Sequence, residues 1–299
     1  MRLRTDRGAL AIFVAALLWS TGGLFIKEIS LDAWGVSCYR STIAALTIGT
    51  IYLISGRRLG PSEPWFTGYH LLCAFFYALL LVLFVIATKL TTSANAIFLQ
   101  YTAPVYVLFV EPMLAGHRVR RSDLLTVALS TAAMALFFIG QFEARGVWGN
   151  IAALASGVAF ATYAVLLKHE RATVRNRWQV VILGHGMIAM TMLILAACGV
   201  TMLTPGPGDL MRLLYLGVIQ IGVAYGLFTY GITHVRAIDA TLIAMIEPVL
   251  NPVWVFLGMG ERPTTYAIAG GLIILLLSII RTLRGSGDTT TNELVRAGE

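Results

Sequence analysis

The chain has 299 residues, of which 58% are hydrophobic and only 12% are charged, and its mean hydropathy is +0.79. An ordinary soluble domain is about one quarter charged, so this composition excludes the soluble globular class. The formal net charge of +7 does not indicate nucleic-acid binding, because the basic residues lie in short segments between long apolar stretches. We therefore expect an integral membrane protein without a nucleic-acid partner.

The apolar stretches are each about 20 residues long, and a helix of that length, rising about 1.5 Å per residue, crosses a hydrocarbon layer of about 30 Å. Helices are expected because every backbone amide must find its partner inside the protein when no water is present. In chain order the predicted spans are residues 8–27, 33–54, 65–88, 93–115, 122–141, 147–168, 178–200, 211–233, 238–259 and 264–283. The sequence thus predicts an all-α integral membrane protein with ten transmembrane helices, followed by a flexible cytoplasmic tail at residues 285–299.

The first span follows a basic N-terminal segment, a combination also found in signal peptides, but no A-x-A-like cleavage site follows before Lys27. Gly8–Lys27 aligns without gaps with Gly149–Lys168, and the two segments share their first glycine, an alanine, a threonine and the final lysine. We therefore expect the first span to be retained as part of the fold.

Basic residues are distributed unequally between the two sides that ten spans define. With the N-terminus inside, the outer side receives Lys27, Lys89, Arg145, Arg212 and Arg262. All other lysines and arginines fall on the inner side, except Arg40 within the second span. Because cytoplasmic loops carry an excess of positive charge, this distribution predicts a multi-pass protein of the plasma membrane with both termini in the cytoplasm.

The two halves of the chain are similar to each other. Leu79–Arg120 and Val223–Thr264 correspond at a shift of 144 residues, which takes Pro104 to Pro248. The sequence therefore divides into a first five-helix repeat at residues 1–144 and a second at residues 145–284. Because each repeat crosses the membrane an odd number of times, the second begins on the opposite face. Inverted repeats of this kind are typical of transporters whose midplane site opens alternately to each side.

Several motifs carry a resemblance to a known family. They are LLWSTGGLFIK in the first span, SCYRSTIAAL in the second, TTSANA and PVYVLFVEPMLAGHR in the fourth, and EPVLNPVWVFLGMGER in the ninth. With them the sequence resembles the EamA-type, ten-helix branch of the drug/metabolite transporter superfamily over residues 8–283, and within it the aromatic amino acid exporters. The resemblance implies a ten-helix fold whose central cavity passes amino acids, other small metabolites or drugs, often outward.

One motif departs from the family pattern. Gly116-His117-Arg118 stands where the family favours Gly-Glu-Arg, a pattern kept at Gly260–Arg262. We therefore assign no transport role to the carboxylate of this motif and interpret the motif as an anchor at the helix end.

Pro104 and Pro248 occupy corresponding places in two apolar spans. A proline inside a helix removes one hydrogen bond and frees a carbonyl, which a membrane protein tolerates beside a polar neighbour or a wet cavity. Paired interruptions of this kind point to a binding site, although a structural kink explains the same pattern. We assign both prolines a hinge or structural role.

Three ionisable side chains lie within spans. Glu247, near mid-depth, is a candidate proton carrier, a counter-charge for a substrate ammonium, or a partner for Arg40. Arg40 is interpreted either as a clamp for a substrate carboxylate or as a bond between helices, and the family pattern favours the structural role. His185 is a candidate for gating or proton relay because imidazole titrates near physiological pH, and a bond to a neighbouring helix is the alternative.

Aromatic and amide residues at middle depth complete the candidate site. A tyrosine hydroxyl in hydrocarbon needs a partner, so cavity lining and packing within the bundle are both open interpretations. The predicted substrate-binding residues are Trp19, Tyr77, Gln100, Tyr101, Tyr163, His185, Tyr225 and Glu247.

The sequence has no H-E-x-x-H, P-loop or G-x-S-x-G pattern, and Cys38, Cys73 and Cys198 are isolated. We therefore expect no enzyme activity, no metal and no cofactor. The predicted function is secondary transport that exports aromatic or other large neutral amino acids, or similar small metabolites, by alternating access, with proton exchange or plain facilitation as the driving force. The alternatives are a membrane-embedded enzyme acting on a lipid or lipid-linked substrate, and a non-transporting receptor or scaffold.

Overall fold

The structure is a computed structural model, and it describes residues 2–54, 67–115, 119–137, 139, 146–168, 174–201, 203–259 and 265–284. Every regular element within these ranges is helical. In chain order the helices are α1 Arg2–Trp19, α2 Gly22–Glu28, α3 Ala33–Ile54, α4 Gly68–Leu90, α5 Ser93–Gln100, α6 Ala103–Ala115, α7 Arg121–Phe137, α8 Val147–Lys168, α9 Val174–Ala197, α10 Asp209–Tyr215, a π-helix Leu216–Val223, α11 Ala224–Gly231, α12 Ala237–Ala244, α13 Ile246–Met259 and α14 Thr265–Arg284. The two Gly-x-Arg motifs, the boundary at residues 144 and 145 and the tail at 285–299 lie outside the described residues.

The all-α membrane fold predicted from composition is confirmed, and every predicted span coincides largely with helix. Among the described residues, six helical stretches are long and apolar enough to cross a bilayer: Arg7–Glu28, Gly68–Leu90, Asn95–Leu114, Val147–Lys168, Arg177–Ala197 and Asp209–Gly231. The remaining predicted spans correspond to α3, α7, the pair α12 and α13, and α14.

Several spans that the hydropathy pattern shows as continuous are interrupted. The fourth span breaks at Tyr101 and Thr102, and the ninth breaks at Met245, which is the position of Tyr101 shifted by 144 residues. Pro104 and Pro248 therefore lie in the first turn of α6 and α13 rather than in a helix interior. Proline is tolerated in a first turn because its missing N–H would have no intrahelical partner there.

Packing between helices follows a pseudo-twofold pattern. The second helix of the first repeat, α3, packs on its counterpart α9, and the fifth, α7, packs on its counterpart α14. The contact of α4 with α8 has its mirror image in the contact of α1 with α11. A pair of helices that meets its own counterpart, together with reciprocal pairs, is the arrangement expected of two related repeats.

One end of the bundle, which we call the lysine end, is defined by Lys27, Lys89 and Arg212. Lys27 Nζ donates to the carbonyl of Thr91 at 2.8 Å, and Lys89 Nζ donates to the carbonyl of Ile29 at 2.8 Å. These reciprocal bonds join the segment after α2 to the segment after α4. They place the ends of these spans on one side, as alternate crossings require.

The opposite end, which we call the arginine end, is defined by Lys168 and Arg236. Arg236 Nη2 lies 2.6 Å from Asp123 Oδ1, which connects the start of α12 to the start of α7. Lys168 Nζ donates to the carbonyl of Thr233 at 3.2 Å. The assignment of the arginine end to the cytoplasm stays a prediction from loop charge.

The helix α8 lies at the centre of the bundle, where glycine allows close approach. A Cβ on Gly157 would lie 2.7 Å from the carbonyl oxygen of Gln100, and a Cβ on Gly149 would lie 2.8 Å from the amide nitrogen of Thr91. Small residues let transmembrane helices pack backbone to backbone. This contact brings α8 against the break between α5 and α6, which is one wall of the central cavity.

Candidate functional site

A cavity lies between the two repeats, with walls from α1, α3, α4, α5, α8, the π-helix, α11 and α13. Its lining residues are Trp19, Arg40, Leu80, Leu81, Phe84, Gln100, Tyr101, Phe160, Gln220, Ile221, Tyr225 and Glu247. Both repeats contribute aromatic, apolar and polar side chains to this lining.

The cavity is narrow in this conformation. The positions open to the centre of a water molecule occupy about 30 Å³, and one water needs at least about 10–15 Å³ of such space. A molecule of the size of an amino acid therefore requires the walls of the cavity to move apart.

The break between α1 and α2 forms part of this wall and is satisfied by its own hydroxyl side chains. Ser20 Oγ donates to the carbonyl of Leu17 at 2.6 Å, and Thr21 Oγ1 donates to the carbonyl of Leu18 at 2.8 Å. Carbonyls at a helix end need such partners because no intrahelical N–H reaches them. The sequence Ser-Thr-Gly-Gly therefore ends α1 inside the bundle without leaving these carbonyls unpaired.

The second repeat also contacts this break. Gln220 Nε2, from the π-helix, donates to the carbonyl of Trp19 at 3.4 Å, and Trp254 Nε1, from α13, donates to Ser20 Oγ at 2.7 Å. π-Helical turns are rare and occur frequently at functional sites. The interrupted helix of the first repeat is thus held by two side chains of the second.

Tyr101 and Glu247 form a polar contact between the repeats. Tyr101, at the end of α5, donates its hydroxyl proton to Glu247 Oε2, and Glu247 is the second residue of α13. A shift of 144 residues takes Tyr101 to Met245 and brings Glu247 back to Ala103, so the mirror-image pair is apolar. The break of the first repeat therefore makes a polar contact with the start of α13, and the break of the second repeat makes no equivalent contact with the start of α6.

Arg40 lies in the wall opposite these breaks and is 3% exposed. Its Nη1 has no hydrogen-bond partner among the described residues. No ion pair within 4.0 Å joins it to a described carboxylate, including Glu247 in the same cavity. The sequence favours a structural role for Arg40, as a bond between helices. Among the described residues, no ion pair supports that role.

An aromatic wall surrounds Trp19. Its ring centroid lies 4.6 Å from that of Tyr225, 5.2 Å from that of Phe228 and 6.3 Å, edge to face, from that of Phe160. These separations are typical of attractive aromatic pairs. The indole Nε1 of Trp19 is buried and has no hydrogen-bond partner among the described residues.

Three predicted site residues form a second layer behind Tyr225 rather than the cavity wall. Tyr77, Tyr163 and His185 are each 0% exposed, and the Tyr77 hydroxyl lies 2.8 Å from His185 Nε2. The ring of Tyr77 lies 5.0 Å from that of Tyr163 and 4.8 Å from that of Tyr225. These residues position Tyr225 and do not border the cavity in this conformation.

The remaining predicted residues, Trp19, Gln100, Tyr101, Tyr225 and Glu247, all line the cavity. Gln100 Nε2 donates to Ser156 Oγ at 2.8 Å, which orients its amide. Sequence analysis missed Phe160 in the lining and Trp254 beside it. A tryptophan well inside the ninth span was the available signal for Trp254, because interfacial tryptophans lie at span ends.

Among the described residues, no group of three or more His, Cys, Asp or Glu side chains is placed to hold a metal ion. Cys38 and Cys73 are buried and Cys198 is exposed, and each is a free thiol.

Comparison with known proteins gives consistent matches along the chain. The EamA-like transporter family matches at residues 6–139 and again at residues 147–282. An uncharacterized transporter of Archaeoglobus fulgidus is 28% identical over 270 residues, which cover 90% of this chain and 93% of that protein. A protein of known crystal structure shares the fold with a TM-score of 0.75 at 20% identity, over 93% of this chain and 98% of that one. The chain therefore belongs to the EamA-like transporter family and is a multi-pass membrane protein.

Proposed function

We propose that this protein is a secondary transporter that exports aromatic or other large neutral amino acids, or similar small zwitterionic metabolites, across the plasma membrane. The observation that carries the proposal is a cavity between the repeats that combines an aromatic wall with two buried ionisable groups, Arg40 and Glu247.

The aromatic wall supports the choice of an apolar side chain on the substrate. Trp19, Tyr225 and Phe160 present ring surfaces at the centre of the bundle, and aromatic groups pair favourably with such surfaces by about 0.5–1.5 kcal/mol beyond area burial. A strongly polar substrate side chain would find few partners on this wall. An aromatic or branched aliphatic side chain fits it better.

The breaks in α1/α2, α5/α6 and α12/α13 support a movement of the repeats about the cavity. Helix ends absorb changes of backbone dihedral angles more readily than helix interiors, and hinges are commonly located there. The breaks at Tyr101 and Met245 occupy equivalent positions in the two repeats, as alternating access between inverted repeats requires. Opening at the lysine end would separate Lys27 from Thr91 and Lys89 from Ile29.

A panel of substrates in proteoliposomes tests the proposal. Purified protein is reconstituted, and uptake of labelled phenylalanine, tryptophan and leucine is compared with that of glutamate, lysine and glucose in counterflow. We expect saturable movement of the three large neutral amino acids and little movement of the others. If none of the amino acids moves above the level of protein-free liposomes, the proposed substrate class is wrong.

A further inference from the structure

We infer that Arg40 and the indole N–H of Trp19 form a binding site for the carboxylate group of the substrate. The inference rests on the proposed function and extends it, because it assigns the residues that recognise the anionic end of the molecule. Glu247 and the Oε1 atom of Gln220 lie on the same cavity and are left for the cationic end.

The first argument is the burial of a charge. Arg40 is the eighth residue of the 22-residue helix α3 and is 3% exposed. An arginine within a membrane span is costly, and its charge is normally offset by an acidic or carbonyl partner. Among the described residues, no carboxylate lies within 4.0 Å of Arg40, and its Nη1 donates to no atom. The guanidinium is therefore placed to bind an anion that enters the cavity.

The second argument is the arrangement of unpaired groups around one small space. Arg40 Nη1, Trp19 Nε1 and Gln220 Oε1 are buried polar atoms without a hydrogen-bond partner among the described residues, and all three residues line the cavity. Buried polar groups in proteins are paired in the great majority of cases. Two donors and one acceptor on the same cavity match a ligand that accepts at one end and donates at the other.

The third argument is the position of Glu247. It already accepts a hydrogen bond from Tyr101 across the repeats and is not ion-paired with Arg40. A cation and an anion that line one cavity without an ion pair between them are both available to a zwitterion once the walls of the cavity move apart. Because a guanidinium presents a planar fork of N–H groups that fits a carboxylate in a bidentate manner, Arg40 is suited to the carboxylate of such a ligand.

The alternative role for Arg40 is a bond between helices. That role requires the guanidinium to donate to a backbone carbonyl or a side chain of a neighbouring helix. Nη1 makes no such bond within the part of the chain that the structure describes, and the π-helix packs on α3 through glycine, as in the approach of Gly217 to Ile43.

Three probes that differ only in their charged groups test the inference by direct binding to the purified, full-length protein in nanodiscs. They are L-phenylalanine, 3-phenylpropionate, which lacks the ammonium, and phenethylamine, which lacks the carboxylate. In Arg40→Gln we expect affinity for the two carboxylates to fall by at least about tenfold, since bonds to charged groups contribute about 1.5–3 kcal/mol, whereas affinity for phenethylamine changes less than about twofold.

Two further variants keep the test informative if Arg40→Gln does not fold. Trp19→Phe keeps a ring at the wall but removes the indole N–H together with part of the ring surface, so it should weaken binding of both carboxylates several-fold more than binding of the amine. Arg40→Lys retains the charge but loses the planar fork and should give an intermediate loss. Monodispersity and melting temperature identify variants that are merely misfolded.

The inference is overturned if the variants weaken all three probes equally, if they weaken none, or if the wild-type protein binds neither carboxylate. Its failure is separable from failure of the proposed function. Amino acid transport in Arg40→Gln with an unchanged half-saturation concentration would refute the carboxylate site while supporting transport. Binding that depends on Arg40, without transport in proteoliposomes, would support the carboxylate site and refute the proposed transport.

Discussion

Trp254 donates its indole N–H to the hydroxyl of Ser20 at 2.7 Å, and thereby joins α13 of the second repeat to the break between α1 and α2 of the first. Ser20 in turn donates to the carbonyl of Leu17. The bond therefore stabilises a helix break rather than a regular helix surface. Its loss should lower the free energy of unfolding and alter the movement of the repeats.

We expect Trp254→Phe and Ser20→Ala each to lower the free energy of unfolding by about 1–2 kcal/mol, because the first removes the donor to the buried Ser20 hydroxyl and the second leaves the indole N–H of half-buried Trp254 without its acceptor. The double variant should cost less than the sum of the two. A double-mutant cycle of melting in detergent measures this coupling. Strict additivity would show that the two side chains do not interact.

A methyl group at Gly157 should force α8 away from the break between α5 and α6. The added Cβ would lie 2.7 Å from the carbonyl oxygen of Gln100, so Gly157→Ala should destabilise the protein by about 1–3 kcal/mol. Gly186→Ala is the matched control, since a Cβ there meets no atom within 4 Å, and it should be neutral or slightly stabilising. Equal melting temperatures for the two variants would contradict the close packing of α8.

The ion pairs at the two ends of the bundle should differ in their contribution to stability. Arg236 binds Asp123 at 2.6 Å and Asp239 at 3.0 Å, and both carboxylates are nearly buried. Arg212 and Glu28, at the lysine end, form a pair that is about one third exposed on both sides. Removal of one partner from an exposed pair costs about 0–1 kcal/mol, whereas it costs several kcal/mol when a buried charge is left behind.

Arg236→Gln should therefore lower the melting temperature clearly, and Glu28→Gln, which removes only the exposed partner of Arg212, should leave it nearly unchanged. The two carboxylates also hold the pKa of Arg236 above its usual range, against the effect of partial burial, so the pair persists at every pH at which both acids are ionised. A larger effect of Glu28→Gln than of Arg236→Gln would show that the cross-repeat pair does not secure this end.

Glu247 should determine the pH dependence of transport if it carries a proton during the cycle. Glu247→Gln keeps a hydrogen-bonding group of the same size beside Tyr101 but does not titrate. We expect this variant to lose the pH dependence of uptake in proteoliposomes. Glu28→Gln, outside the cavity, is the control and should retain it. An unchanged pH profile in Glu247→Gln would end the proposed proton role.

The orientation of the bundle is testable with a native thiol. Cys198 is exposed after α9, close to the residues that reach the lysine end, whereas Cys38 and Cys73 are buried. We expect an impermeant maleimide to label Cys198 in intact cells and to label Arg121→Cys, in a Cys198→Ser background, only after permeabilisation. Labelling of Arg121→Cys in intact cells would reverse the predicted topology.

Much of this architecture is predictable from sequence because hydropathy and the repeat act over many residues at once. The positions of the spans and the equivalence of Pro104 and Pro248 follow from such patterns. The separation of Tyr225, which lines the cavity, from Tyr77 and Tyr163, which lie behind it, does not. In a helix surrounded by other helices and lipid, apolar residues occur on every side. The sequence therefore does not indicate which face of the helix borders the cavity.

The helix breaks were predictable only in part. The prolines indicated interrupted spans but not that the breaks would lie three residues before them, at Tyr101 and Met245. The π-helix around Gln220, which packs against α3 and α1, was not predicted from the sequence. The lack of a hydrogen-bond partner for Arg40 Nη1 among the described residues depends on the positions of distant side chains. A single sequence does not predict those positions.

The hydrogen bond from Tyr101 to Glu247 has as its mirror image only Met245 and Ala103. A transporter with two fully equivalent repeats would populate its two opposed conformations equally when no gradient is present. Here a polar contact joins the two repeats and its mirror image is missing, so the two opposed conformations should differ in free energy and the resting equilibrium should be unequal. We expect such a bias to appear as different half-saturation concentrations on the two faces of the membrane.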